Sequence, residues 1–237
     1  MADYNTAPAS TALPTLADAQ RVTAFLRKVY GWMCAGLGVT AFVAFTVVGS
    51  PTIVRAIASN QLLFFGLVAA ELGLVFYLSA RAPKLAPGAA AGLFVLYSAL
   101  NGVTLSLVLL MYTGASVATT FVVTAGMFGA LALFGSTTTR SLAGAGHFFF
   151  MGLVGLVLAS VVGMFWHSEA LQFLISVIGV IVFTGLTAWD AQRLKQMALA
   201  LPDGQSGSYG VVGALSLYLN FINLFLILLR FSGGRRS

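Results

Sequence analysis

Seven long apolar segments constrain the fold of this chain more than any other feature of its sequence. They cover about residues 29–49, 61–80, 89–112, 117–135, 145–166, 170–190 and 209–231. A helix needs ~20 apolar residues, at 1.5 Å per residue, to cross the ~30 Å hydrocarbon core of a bilayer. The alternation of apolar and polar residues that marks membrane strands is absent. The sequence therefore predicts an all-α membrane protein, a bundle of seven transmembrane helices.

Composition excludes the other large classes of protein. Of the 237 residues, 59% are hydrophobic and only 8% are charged, whereas soluble domains carry ~25% charged residues. A soluble enzyme and a disordered chain are both excluded, and a single cysteine excludes a disulfide framework. No zinc-protease HExxH motif and no phosphate-binding GxxxxGK[ST] loop occurs, and the two histidines, His147 and His167, fall on opposite sides of the predicted membrane. We expect no enzyme activity and no cofactor.

The net charge of +6 indicates how the loops lie relative to the membrane rather than nucleic-acid binding. Lys and Arg collect in the loops of a membrane protein that stay in the cytoplasm. A cytoplasmic N-terminus places Arg81, Arg140 and Arg193 on the inner side and only Arg55 in an outer loop. Seven full crossings put the basic C-terminus outside, against the preference of basic residues for the cytoplasm. Either the early helices decide the orientation, or the last segment does not cross fully. We favour full crossing, with the lipid bilayer as the main partner and no nucleic acid.

The first twenty residues differ in composition from the rest. They are small, polar and proline-containing, and they lack the basic and apolar regions of a signal peptide. The sequence predicts a disordered cytoplasmic tail over residues 1–20 and a single transmembrane domain over residues 21–237.

Two acidic residues fall inside apolar segments, where an ionisable group is costly and is a functional candidate by default. Glu71 lies near the middle of the second segment, in VAAELGLVF. It is either a carboxylate that binds protons or cations, or a neutral carboxyl hydrogen-bonded to a neighbouring helix. Asp190 ends the sixth segment, either as a titrating gate near the inner mouth or as the partner of Arg193 in an ordinary helix pair. Arg81, at the end of the second segment, reaches the same membrane level and makes a latch across helices geometrically possible.

Two asparagines also lie inside segments. Asn101 and Asn220 are in the third and seventh segments, respectively. Either side chain could line a polar path, but hydrogen bonding between helices is the usual role of such residues.

Three stretches resemble one family. They are residues 101–142, the sixth-segment ending VIGVIVFTGLTAWDAQRLK, and the seventh segment ALSLYLNFINLFLILLRF. The chain resembles the bacterial Bax inhibitor/YccA-like proteins, the transmembrane BAX-inhibitor-motif family, over about residues 21–231. The resemblance implies an inner-membrane bundle of six helices around a central seventh. It also implies a pH-sensitive calcium leak or, as in the YccA branch, restraint of the membrane-anchored FtsH protease.

The resemblance also implies a site. The family's leak uses one aspartate at the end of helix six, a second in helix seven, and an arginine latch at the end of helix two. Asp190 matches the first aspartate, and Arg81 approximates the latch, one position away. Asn220 stands where the pattern LYLDFINLF has the second aspartate. If the seventh helix enters the membrane at Tyr209, Asn220 lies ~16 Å deep, so contact with a helix-six end requires later entry or a water-filled inner cavity.

The replacement of aspartate by Asn220 changes the expected chemistry. Two nearby carboxylates cannot both ionise cheaply and titrate as a unit, whereas asparagine stays neutral at every relevant pH. We therefore expect a weak gated cation leak for calcium or protons, with an altered Asp/Asn gate and weak calcium binding at Asp190. The alternative is a non-transporting modulator of a membrane protease that captures the polar N-terminal tail.

Overall fold

A computed structural model of the chain describes residues 16–81, 84–166, 168–202 and 206–234. Within these ranges the chain is helical and has no strand. The helices are α1 Leu16–Val48, α2 Pro51–Ser59, α3 Gln61–Arg81, α4 Pro87–Leu109, α5 Gly114–Thr137, α6 Ala143–Phe165, α7 Glu169–Ala200 and α8 Ser206–Ser232. All except α2 are long and apolar enough to cross a membrane. The prediction of a seven-helix all-α membrane protein is confirmed.

Two helices extend well beyond the predicted segments. Helix α7 continues to Ala200, although the sixth segment was predicted to end at Asp190. The continuation carries charged residues, but it is rich in strong helix formers, and its Leu194 and Ala198 are buried in the bundle. Helix α1 begins at Leu16, so the last five residues of the predicted tail are helical. Residues 1–15 lie outside the described residues, as do His167, Arg235 and Arg236.

Helix α2 was missed because it is too short to span a membrane. It has nine residues and starts with Pro51, which suits a first helical position because proline has no amide hydrogen to leave unpaired. It connects α1 to α3. Polar side chains begin two of the long helices: Thr113 accepts a hydrogen bond from Ser116 N at 3.2 Å, and Ser168 accepts one from Leu171 N at 3.4 Å.

Helix α8 is the central element of the bundle. It packs against α1, α4, α5 and α7 and also contacts α3, while α6 packs against α7. Its buried side chains run along its whole length, and Tyr218 is the largest fully buried side chain described. Large apolar side chains on the other helices, such as Phe45 and Phe148, face outward. This distribution suits a bundle surrounded by lipid, and it confirms the predicted central position of the last helix.

Candidate functional site

Asp190 and Asn220 form a buried pair between α7 and α8. Asn220 Nδ2 donates a hydrogen bond to Asp190 Oδ2 at 2.8 Å, and each residue is only 6% exposed. The prediction that Asp190 ends a helix is wrong, because α7 continues for about three more turns. Asp190 and Asn220 both lie inside long helices and therefore meet at the same depth. The last helix does not have to enter the membrane late, as it would if Asp190 stood at a helix end. We call Asp190 and Asn220 the gate pair.

Arg193 supplies the positive charge beside the gate pair. Its Nη2 lies 3.0 Å from Asp190 Oδ1, and its guanidinium stands over the Trp189 ring at 5.0 Å from the centroid. Arg193 also donates a 3.4 Å hydrogen bond to Ser216 Oγ on α8. This pair on one helix is the predicted alternative to a gate, and the structure contains it.

One oxygen of Asp190 is left with an incomplete set of partners. Asp190 Oδ1 and Arg193 Nε are buried, and neither has a hydrogen-bond partner among the described residues. The contact between the two side chains is therefore ionic rather than a well-aligned hydrogen bond. A buried carboxylate oxygen without a donor can accept a proton, a water molecule or a cation once the guanidinium moves away.

The structure does not bring Arg81 to the gate pair. Arg81 is exposed at the end of α3, and α3 packs against α4 and contacts α8. Arg193 needs no second helix to reach Asp190, because residues three apart on a helix lie on the same face. The predicted contact between Arg81 and Asp190 is thus absent from the part of the chain that the structure describes.

Glu71 lies in a second polar cluster, half-buried between α3 and α4. Thr104 Oγ1 donates to Glu71 Oε1 at 2.8 Å, and Asn101 Nδ2 donates to Glu71 Oε2 at 3.3 Å. The Tyr218 hydroxyl donates to Asn101 Oδ1 at 2.9 Å and lies 2.6 Å from Thr40 Oγ1 on α1. We call these five residues the Glu71 network. Glu71 and Asn101 both make the hydrogen bonds to neighbouring helices that the sequence analysis considered for them.

Helix α8 contributes to both polar groups. Tyr218 and Asn220 stand two positions apart, which places them ~3 Å apart along the axis and on nearly opposite sides of the helix. Tyr218 faces the Glu71 network, which joins α8 to α1, α3 and α4, while Asn220 faces Asp190 on α7. A movement of α8 would therefore change both sets of hydrogen bonds.

A cleft of about 1010 Å³ opens at the other end of α7 and α8. Glu169, Ser176 and Arg230 contribute to its lining. Ser176 stands ~21 Å along α7 from Asp190. A buried apolar cluster of α6, α7 and α8 fills the interval, formed by Leu156, Ile175, Val182, Phe183, Leu186, Leu224 and Ile227. This apolar plug separates the cleft from the gate pair.

The described residues contain no group of three or more His, Cys, Asp or Glu side chains that could hold a metal ion. The gate pair offers one carboxylate and one amide, whereas Ca²⁺ prefers six to eight oxygen ligands. The gate pair alone therefore offers too few oxygen ligands for a resident calcium ion.

Sequence reasoning missed Tyr218, Thr40 and Thr104. The available signal was the position of Tyr218 in the middle of an apolar segment, since membrane tyrosines usually lie at the interface. A tyrosine at that depth has a buried hydroxyl that needs a hydrogen-bond partner.

These features define a seven-helix membrane protein with a buried polar group on each side of its central helix. The sequence profile of the family described as "Inhibitor of apoptosis-promoting Bax1" matches residues 22–237. The chain belongs to this family, as its resemblance to the Bax inhibitor proteins indicated.

Bacterial relatives cover almost the whole chain. "Inner membrane protein YbhL" of Escherichia coli is 50% identical over 215 residues, which are 90% of this chain and 92% of the relative. A protein of Borreliella burgdorferi is 45% identical over 215 residues, with 90% and 93% covered. A protein of Caulobacter vibrioides is 41% identical over 260 aligned positions, with 100% of both chains covered.

The Glu71 network should contribute to stability through the Tyr218 hydroxyl. Tyr218→Phe leaves Asn101 Oδ1 without its donor and should destabilise the folded bundle by roughly 1 kcal/mol, the scale of hydrogen bonds between membrane helices. Unfolding of the purified protein in detergent measures the effect. Tyr77→Phe is the matched control, since Tyr77 is exposed on α3. Equal stability of the Tyr218 and Tyr77 variants would show that the network is not a structural contact.

Proposed function

We propose that the protein is a bacterial inner-membrane, weak gated cation leak whose gate is the gate pair under the control of Arg193. The observation that carries the proposal is Asp190 Oδ1, a buried carboxylate oxygen with no hydrogen-bond donor among the described residues. Pairs and rings of carboxylates select cations in channels. The name of the Escherichia coli relative supports the inner membrane, and the distribution of basic residues supports a cytoplasmic N-terminus.

The closed state follows from charge neutralisation and from packing. Arg193 compensates the negative charge of Asp190, so a cation near Oδ1 competes with a guanidinium already in contact. Beyond the gate pair, the apolar plug offers no polar ligand to an ion leaving its hydration shell. A leak therefore needs two changes, withdrawal of Arg193 and separation of the plug helices. This double requirement explains why the leak is weak.

Arg193 has room to withdraw. Its side chain is 40% exposed, whereas that of Asp190 is 8% exposed. A shift of α8 that moves Ser216 and Asn220 would remove two of the contacts that hold the cluster together. Because Tyr218 is on the same helix, Glu71 would sense this shift through Asn101. Glu71 is thus the second acidic group of the proposed pathway.

The alternative function, modulation of a membrane-anchored protease, depends on the N-terminal tail. Residues 1–15 lie outside the described residues, and residues 16–20 belong to α1. The geometry of the gate pair favours the leak, and a change in conductance separates the two functions.

Asp190→Asn tests the proposed leak directly. Removing the carboxylate takes away the charge that attracts a cation, so calcium flux into proteoliposomes should fall roughly tenfold, the effect of ~1.4 kcal/mol on a barrier. Flux is measured from pH 5 to pH 8. Asp18→Asn is the matched control, since it removes an acid in the first turn of α1 that belongs to none of the gate pair, the Glu71 network and the cleft. A correctly folded wild type that carries no calcium or proton flux at any of these pH values would overturn the proposal.

Asn220→Asp is expected to have the opposite effect. It places a second carboxylate within 2.8 Å of Asp190 Oδ2, where the two charges repel and titrate as a pair. Arg193 can neutralise only one of them at high pH, so calcium flux should exceed that of wild type and should rise with pH. A protease modulator has no reason to gain conductance from this change.

Folding must be measured beside this flux, because an uncompensated acid inside a membrane helix costs roughly 3 kcal/mol. The matched control is Asn223→Asp, which adds an acid to the same helix at a residue whose amide donates to Leu219 O, one turn earlier. A folded Asn220→Asp protein with the wild-type flux at every pH would remove the gate pair from the proposed mechanism.

A further inference from the structure

An apolar groove opens on the side of the bundle between α1 and α5. Its volume is about 530 Å³, within the ~300–1,000 Å³ typical of small-molecule sites. Cys34 and Leu37 line it from α1, Ala125 and Leu133 from α5, and Phe221 forms its floor on α8. Helix α1 packs against α4, α7 and α8, and α5 packs against α7 and α8, so the groove between α1 and α5 ends on α8. Phe221, at its floor, is only 2% exposed.

Small residues of α5 give the groove its depth. Gly129 lines it, and a Cβ added at Gly129 would have no atom within 4 Å. Phe221 contacts Phe121 and Phe128 edge to face, with ring centroids 5.4 and 5.5 Å apart. These rings form an apolar inner wall without hydrogen-bonding groups. In a bilayer such a surface is exposed to hydrocarbon chains.

Basic side chains stand at one end of the groove. Arg27 precedes the groove residues Tyr30 and Cys34 by three and seven positions, so it lies on the same face of α1. At the matching end of α5, Lys195 Nζ donates to the carbonyl of the groove residue Ser136 at 2.8 Å. Arg140 is exposed just beyond the end of α5. The three cations occupy the end of the bundle at which α1 begins and α5 and α7 end.

We propose that this groove binds one acyl chain of a phospholipid whose anionic headgroup lies at Arg27, Arg140 and Lys195. The chain would fill the groove over Phe221, and the headgroup phosphate would meet positive charge of complementary sign. Basic pockets between transmembrane helices are recognised sites for anionic lipid headgroups. A second protein helix would match the apolar walls but not the basic end, which is why the observations favour a lipid.

The proposed lipid would lie close to the gate pair. Phe221, the floor of the groove, is the residue after Asn220. A chain seated against Phe221 would hold α8 in the position in which Asn220 reaches Asp190. The binding of the lipid does not depend on the leak, so the two proposals can fail separately.

Native mass spectrometry of the full chain tests the site. The protein is transferred from nanodiscs of equal parts palmitoyl-oleoyl phosphatidylglycerol and palmitoyl-oleoyl phosphatidylcholine into detergent, and the lipids that remain bound are counted. Wild type should retain one phosphatidylglycerol. Gly129→Leu fills the groove and should lower that occupancy roughly tenfold, a change of ~1.4 kcal/mol in binding. Gly126→Leu is the matched control, because Gly126 is equally open on the same helix but does not line the groove.

Removing the basic side chains tests whether they bind the anionic headgroup. The double variant Arg27→Gln and Arg140→Gln should lose its preference for phosphatidylglycerol over phosphatidylcholine, whereas Arg55→Gln on α2 should keep it.

Thermal unfolding of each variant checks that the bundle is intact, and Gly129→Ala provides a smaller filling change if Gly129→Leu unfolds. Equal retention of phosphatidylglycerol by wild type and the Gly129 variants would overturn the proposal. So would a wild type that retains both lipids equally, or a lipid-free dimer that buries the groove.

Discussion

The hydrogen bond between Asn220 and Asp190 is the contact on which the rest of this structure depends. A carboxylate inside an apolar bundle is expensive unless its charge and its oxygens are matched. Asn220 satisfies one oxygen from α8, and Arg193 compensates the charge from α7 itself. This arrangement fixes the depth of α8 relative to α7 more tightly than apolar packing alone, because a one-turn slip would leave the acid without its donor.

The other side of α8 is fixed by a similar requirement. Tyr218 must place its hydroxyl against Asn101 and Thr40, and Asn101 in turn donates to Glu71. The central helix is thus held at one level by polar contacts on both sides and by apolar packing elsewhere. In a membrane, where helices gain little from burying apolar surface against one another, such contacts and close packing determine which arrangement is preferred. A single helix thus contacts the polar groups around both intramembrane acids, through Tyr218 on one side and Asn220 on the other.

The sequence predicted the fold class because apolar segments of membrane length leave few alternatives. Asp190 and Asn220 were each selected as polar residues in apolar segments, and the family resemblance, not the pattern, implied that they face each other. The sequence did not predict the length of α7, because Arg193 and Lys195 resemble the start of a loop. In the structure both side chains instead contact the bundle. Arg193 forms an ion pair with Asp190, and Lys195 donates a hydrogen bond at the end of α5. The latch at Arg81 was expected from the family resemblance and from placing Asp190 at a helix end, with Arg193 as the alternative partner.

In the proposed leak, Arg193, on the same helix as Asp190, holds the gate closed. Calcium flux into proteoliposomes containing Arg193→Gln, compared with Arg81→Gln, tests this role. Loss of the Arg193 charge frees Asp190 Oδ1 for cations, so flux should rise roughly tenfold, whereas Arg81→Gln should match wild type. Arg193→Lys retains the charge and should stay near wild type, which separates the effect from a loss of folding. Arg193 does not hold the gate closed if Arg81→Gln opens the leak and Arg193→Gln, verified as folded, does not.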